Sequence, residues 1–128
     1  MKETTIRIFS DKEDELVRLL KKTGMRIPGA KLLVFLMRTP EASLHAIERE
    51  ADFRQSELSA GVKELTSLGW IRRHTVPSVL RHRPETVIGL SVPVATIFAS
   101  IEEKITRETG DRLERIRSAK RSIVRIAG

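Results

Sequence analysis

Apolar residues recur along this chain at helical spacing in five stretches, with two short strand-like segments between the fourth and the fifth. Leu16, Leu19 and Leu20 give an apolar face to a helix that Ser10 and Glu13 open as a capping box and that runs to Lys22, with Gly24 as its stop. Residues 30–38 are denser, with Leu32, Leu33, Phe35, Leu36 and Met37, and read as a helix buried on more than one side with Pro28 in its first turn. Thr39-Pro40 ends it. Ser43 caps a short helix whose inward stripe is Leu44, Ile47 and Ala51, and residues 52–54 turn into the next helix with Phe53 buried between the two. Leu58, Val62, Leu65 and Leu68 are the buried face of that next helix, Gly69 stops it, and Trp70-Ile71 starts a strand. A second strand returns over residues 86–90. From Pro93 the helical pattern resumes through Ile97, Phe98, Ile101 and Ile105, then Leu113, Ile116, Ile123 and Val124. Gly110 interrupts it at a cost of ~1 kcal/mol relative to alanine, which leaves one bent helix or two. Residues 5–9 alternate in part, as a short strand or an arm.

Two short helices, a Gly-Trp stop and a basic hairpin, in that order, predict a winged helix-turn-helix. The outward face of the second helix is small and polar: Ser56, Ser59, Ala60, Lys63 and Ser67, with Gln55 at its edge and Arg54 just before it. Such a face lets the backbone approach a major groove and sets short donors and acceptors at base edges. Between Ile71 and Pro84 stand Arg72, Arg73, Arg81 and Arg83, with His74 and His82 and no carboxylate. A wing lying along phosphates needs that composition.

Four segments resemble the winged-helix transcriptional regulators of archaea grouped with the TrmB-like and MarR/ArsR-type proteins. These are Leu-Val-Arg-Leu-Leu-Lys-Lys-Thr-Gly at 16–24, Phe-Arg-Gln-Ser-Glu-Leu-Ser at 53–59, Lys63-Glu64-Leu65 with Leu68-Gly69-Trp70-Ile71, and Arg83-Pro84. The resemblance covers roughly residues 11 to 90. It implies a DNA-binding regulator but no particular regulated gene. Ser56 departs from the pattern, relatives often having proline there, and residues 77–81 lack the glycines expected of the wing.

Composition narrows the function further. The chain has 128 residues, a formal net charge of +7 and no cysteine. One domain's worth of chain buries a modest core, and a basic balance suits nucleic acid. Residues 1–24 carry 6 bases and 5 acids, residues 25–91 carry 10 and 7, and residues 92–128 carry 8 and 5, so the excess is spread along the chain while the wing is locally of one sign. Without cysteine there is no disulfide, thiol nucleophile or thiolate metal site, and His45, His74 and His82 are not at ligand spacing. No phosphate loop, nucleophile elbow or carboxylate pair in an apolar setting points to catalysis. No apolar run is long enough for a membrane span, and the first residues lack a signal peptide's apolar core, so a cytoplasmic protein is expected.

The chain is expected to be a mainly α protein with a small β-hairpin wing. Its parts are an N-terminal arm and helix (1–24), a winged helix-turn-helix (25–91) and a helical dimerisation segment (92–128). The pattern predicts a homodimeric, sequence-specific regulator on double-stranded DNA, without catalytic residues, metal or cofactor, and with no effector that can be named. DNA contacts are expected from Arg54, Gln55, Ser56, Ser59, Ala60, Lys63, Arg72, Arg73, Arg81, His82 and Arg83. The dimer interface is expected at Ile97, Phe98, Ile101, Ile105, Leu113, Ile116 and Ile123. Two alternatives keep the fold: a protein-interaction module and a nonspecific architectural DNA binder. A third reads Thr5 and Arg7 as the base-reading strand of a ribbon-helix-helix protein.

Overall fold

The computed structural model of the chain describes residues 10–51, 53–78 and 83–127. It is mainly helical with one small antiparallel sheet. The elements run α1 (Asp11–Lys22), α2 (Ile27–Arg38), β1 (Glu41–Ser43), α3 (Leu44–Glu50), α4 (Gln55–Ser67), β2 (Ile71–Val76), β3 (Glu85–Leu90) and α5 (Val94–Ala127). The expected strand at 5–9 lies outside the described residues.

The helix ends are set by local chemistry. Ser10 Oγ accepts from the Glu13 amide at 3.2 Å while Glu13 Oε1 accepts from the Ser10 amide at 2.8 Å, the reciprocal box that opens α1. Ser43 Oγ accepts from the Ala46 amide at 3.0 Å and opens α3. Both α1 and α4 close on a glycine of positive φ, Gly24 at 111° and Gly69 at 78°. At each, the amide two residues beyond the cap reaches back, Met25 to the Leu20 carbonyl at 3.4 Å and Trp70 to the Leu65 carbonyl at 3.1 Å. All four of those side chains are buried, so each cap also joins an apolar pair. Replacing Gly69 by alanine, which disfavours that backbone conformation by about 1–2 kcal/mol, is expected to lower the denaturant midpoint with its slope unchanged.

The helix α2 lies at the centre of the first of two compact units, residues 1–94, with Leu32, Leu33, Val34, Phe35 and Leu36 all buried in succession. It packs on α1 and α4 and touches β3. A run of that kind leaves no solvated face, and each such side chain contributes roughly 1.5–3 kcal/mol on burial. It begins at Ile27, three residues before the periodicity suggests, because Pro28 fits its first turn. Two leucines read as inward are instead exposed: Leu19 on α1 and Leu68 at the end of α4. The stripe on each helix is wider than the neighbour that covers it. On α1 Val17 takes the buried place beside Leu20.

The strand order is β1-β3-β2, antiparallel throughout. The strand β1 escapes the sequence pattern, since three residues between a helix stop and a helix cap show no alternation. The returning strand β3 lies between the other two and holds the fully buried Ile88. Cross-strand neighbours put Ala42, Ile88 and Arg73 on one face, and Glu41, Gly89 and Arg72 on the other.

The second unit, residues 95–128, is taken up by α5, which continues through Gly110 without a break. At 34 residues it is about 50 Å long. None of the i, i+4 pairs Glu103 with Arg107, Glu108 with Arg112 and Asp111 with Arg115 closes to 4.0 Å; Glu114 and Arg121 do, at 3.2 Å.

Candidate nucleic-acid interface

The helix α4 is the element around which a polar site assembles. Its first turn has no capping side chain from Arg54, whose amide instead donates to Glu57 Oε1 at 3.3 Å. Lys31 of α2 holds the same carboxylate at 3.6 Å while its ammonium sits 4.6 Å above the ring of Phe53, which is buried as expected. The start of α4 is therefore tied to α2 by charge and by an aromatic contact.

Gly61 and Gly29 let the two helices close on each other. A Cβ at Gly61 would stand 2.8 Å from the Pro28 carbonyl oxygen, and one at Gly29 would stand 2.0 Å from Glu64 Oε1. Glu64 reaches from α4 to the N-terminus of α2, where Oε2 accepts from the Arg26 amide at 3.3 Å. Since Arg26 offers no cap of its own, this carboxylate serves α2 from outside, at the end where the helix dipole favours a negative charge. Its Oε1 is buried without a hydrogen-bond partner.

With its apolar side fixed in this way, α4 turns Gln55, Ser56, Ser59, Ala60 and Lys63 outward, all exposed, with Arg54 exposed just ahead of them. Between this face, α3 and β2 lies a cleft of about 500 Å³, floored by Leu44, Leu58 and Val62. Gln55, Ser59, Lys63 and Thr66 line one side of it and Arg73 lines the other, with Glu48 as the acid at its margin. Thr66 was legible as the next residue of the helical series after Ser59 and Lys63, whereas Glu48 gave no sequence signal.

Arg72 and Arg73 lie on opposite faces of the sheet. Arg73 shares the face of Ile88 and joins the cleft, whereas Arg72 lies on the opposite face of the sheet. There Glu41 of β1 reaches across β3 to Arg72 at 3.6 Å and to His74 at 3.8 Å. Gly89, the residue between Glu41 and Arg72, has no side chain to stand in the way. Arg72 also donates to the Leu90 carbonyl. The segment between Ile71 and Pro84 has no carboxylate of its own, and Glu41 brings one to Arg72 from another strand. Arg83 is exposed and stands with Pro84 beside Thr75, Val76 and Pro77, toward the hairpin tip. Arg81 and His82 lie outside the described residues.

No protein family, curated protein or solved structure gives a significant match to this chain. The site must be read from its own chemistry. Among the described residues no three His, Asp or Glu side chains gather to hold a metal ion, and no helix is long and apolar enough to cross a membrane.

On α5, considered by itself, Phe98, Ile105, Leu113, Ile116, Ile123, Val124 and Ile126 are exposed and Ile101 is half-buried. Ile97, unlike these, is buried.

Proposed function

We propose that the chain is a winged helix-turn-helix regulator that binds double-stranded DNA as a homodimer. The observation that carries this reading is the unobstructed small, polar face of α4 beside Arg73, on a helical unit whose strands follow the order β1-β3-β2 with a basic hairpin at the edge. An α-helix entering a major groove needs a face free of bulk, and Ser56, Ser59 and Ala60 supply it. Gln55 offers the paired donor and acceptor that can read adenine, and Lys63, Arg73 and Arg83 supply phosphate contacts, joined by Arg81 and His82. The dimer would place two such helices in successive grooves of a pseudo-palindrome. This reading places it inside the cell.

Fluorescence anisotropy on the chain's own upstream duplex and on a scrambled duplex, at two salt concentrations, tests the proposal. Tighter binding to the native duplex that weakens with salt is the expected result; no binding to either at low salt would overturn it. Replacing Gln55 by alanine is expected to narrow the difference between the two duplexes by about 1–3 kcal/mol, the usual worth of one bidentate base contact. An unchanged preference would remove Gln55 from base reading.

A further inference from the structure

We propose that α5 pairs antiparallel with the α5 of a second copy of this chain. The inference rests on the homodimer proposed above and adds its geometry. Two features of the helix point to it, an apolar lane along its length and a division of charge between its halves.

Positions eleven residues apart mark out the side on which the lane lies. Phe98 is followed by Thr109 and Lys120, Ile101 by Arg112 and Ile123, and Ile105 by Ile116 and Ala127. Eleven residues over three turns is roughly 3.67 per turn, close enough to the helix's own 3.6 that the lane runs nearly along the axis instead of winding round it. Exposed Phe98 and Ile105 near one end and Ile116 and Ile123 near the other therefore lie on one side of one continuous helix. At its middle, Thr109 and Arg112 interrupt the lane, and Lys120 stands at its edge, five turns beyond Glu102 on the same side.

Charge then decides the direction. Residues 94–111 carry Glu102, Glu103, Glu108 and Asp111 against Lys104 and Arg107, a net of −2. Residues 112–127 carry six bases against Glu114 alone, a net of +5. A parallel pair would set Arg112 against its own copy and Arg115 beside the partner's Lys120, base against base along the basic half. An antiparallel pair lays the acidic half of each helix on the basic half of the other.

The apolar and charged positions agree on one register. With Ile105 opposite the partner's Ile116, Phe98 comes opposite the partner's Ile123. Glu102, on one flank of the lane, then faces the partner's Lys120, and Glu108, on the other flank, faces the partner's Arg115. In antiparallel pairs like flanks meet, so both contacts form twice. The interrupted middle of each lane meets the other's, Thr109 near the partner's Arg112.

The chain lacks cysteine, so single substitutions make clean probes. Glu102→Cys and Lys120→Cys are prepared separately in the full chain, oxidised mildly alone and as a mixture, and run without reductant. A disulfide-linked dimer in the mixture, lost when either variant is oxidised alone, is the expected result. Linkage within either variant alone would overturn the antiparallel direction while leaving the dimer. No linkage in the mixture would overturn the pairing itself. Circular dichroism of both variants confirms that the helix is retained, and sedimentation equilibrium of the unaltered chain gives its mass independently. A monomer at every concentration sinks the pairing, and neither measurement touches DNA binding by α4.

Discussion

Alanine at Gly61 is expected to destabilise the first unit by roughly 1–3 kcal/mol, although the substitution raises helix propensity by about 1 kcal/mol. The added Cβ would stand 2.8 Å from the Pro28 carbonyl oxygen and 3.2 Å from its carbon. Those are backbone atoms in the first turn of α2, which cannot rotate away as a side chain would. Either α4 lifts from α2, loosening Leu65 and Leu32, or α2 loses its first turn. Trp70 reports the outcome: it is the chain's only tryptophan, is buried, and sits at the cap of α4. Its fluorescence should lose its folded signal about 4–8 °C earlier for each kcal/mol lost in a unit of this size. Gly110 provides the contrast. Nothing lies within 4 Å of the space its Cβ would enter, so Gly110→Ala is expected to stabilise α5 by about 1 kcal/mol. Equal behaviour of the two substitutions would show that the close approach at Gly61 does not constrain the helices.

Arg73→Ala is expected to weaken duplex binding at all sequences and to lower the dependence of log affinity on log salt by about 1, the effect of removing one phosphate contact. Arg72→Ala, one residue away, is expected to leave that slope unchanged. The two side chains differ in sheet face. Arg73 opens on the cleft with Lys63, whereas Arg72 faces Glu41 and the Leu90 carbonyl on the far side. The Arg72–Glu41 pair is about half exposed, so its loss should change stability by no more than about 1 kcal/mol. Titrating both variants against one duplex at several salt concentrations checks the pair of predictions. Equal slopes for Arg72→Ala and Arg73→Ala would mean that the hairpin docks by a surface other than the one beside α4.

Caps and stops were the most legible part of the chain, because their chemistry is local. Ser10 with Glu13, Ser43, Gly24 and Gly69 each act within a few residues and stand where the sequence puts them. The buried faces were legible in outline, with Leu58, Val62 and Leu65 inward and Leu68 not, since a stripe says which side is apolar but not how far the neighbour extends. The separation of Arg72 from Arg73 follows from the period of two along a strand and was available in principle. Glu41 as a counter-charge was not, because it comes from a strand too short to show a pattern. Nor was the α2–α4 seam: a glycine inside a helix reads as a weak helix former until the structure shows the carbonyl or carboxylate lying against it. In the candidate site, the face of α4 was legible from spacing alone, while Glu48 and the cleft depend on where α3 and β2 come to rest.

Glu64 belongs to the helix proposed to read bases but works for the N-terminus of another. Turning α4 about its axis would pull the carboxylate from the Arg26 amide and drive Gly61 against Pro28. The orientation of the reading face is thus locked into the folded core. A helix held in this way loses its freedom during folding and not on contact with a ligand, so association need not be opposed by the ordering entropy that a hinged or partly folded element would lose on docking.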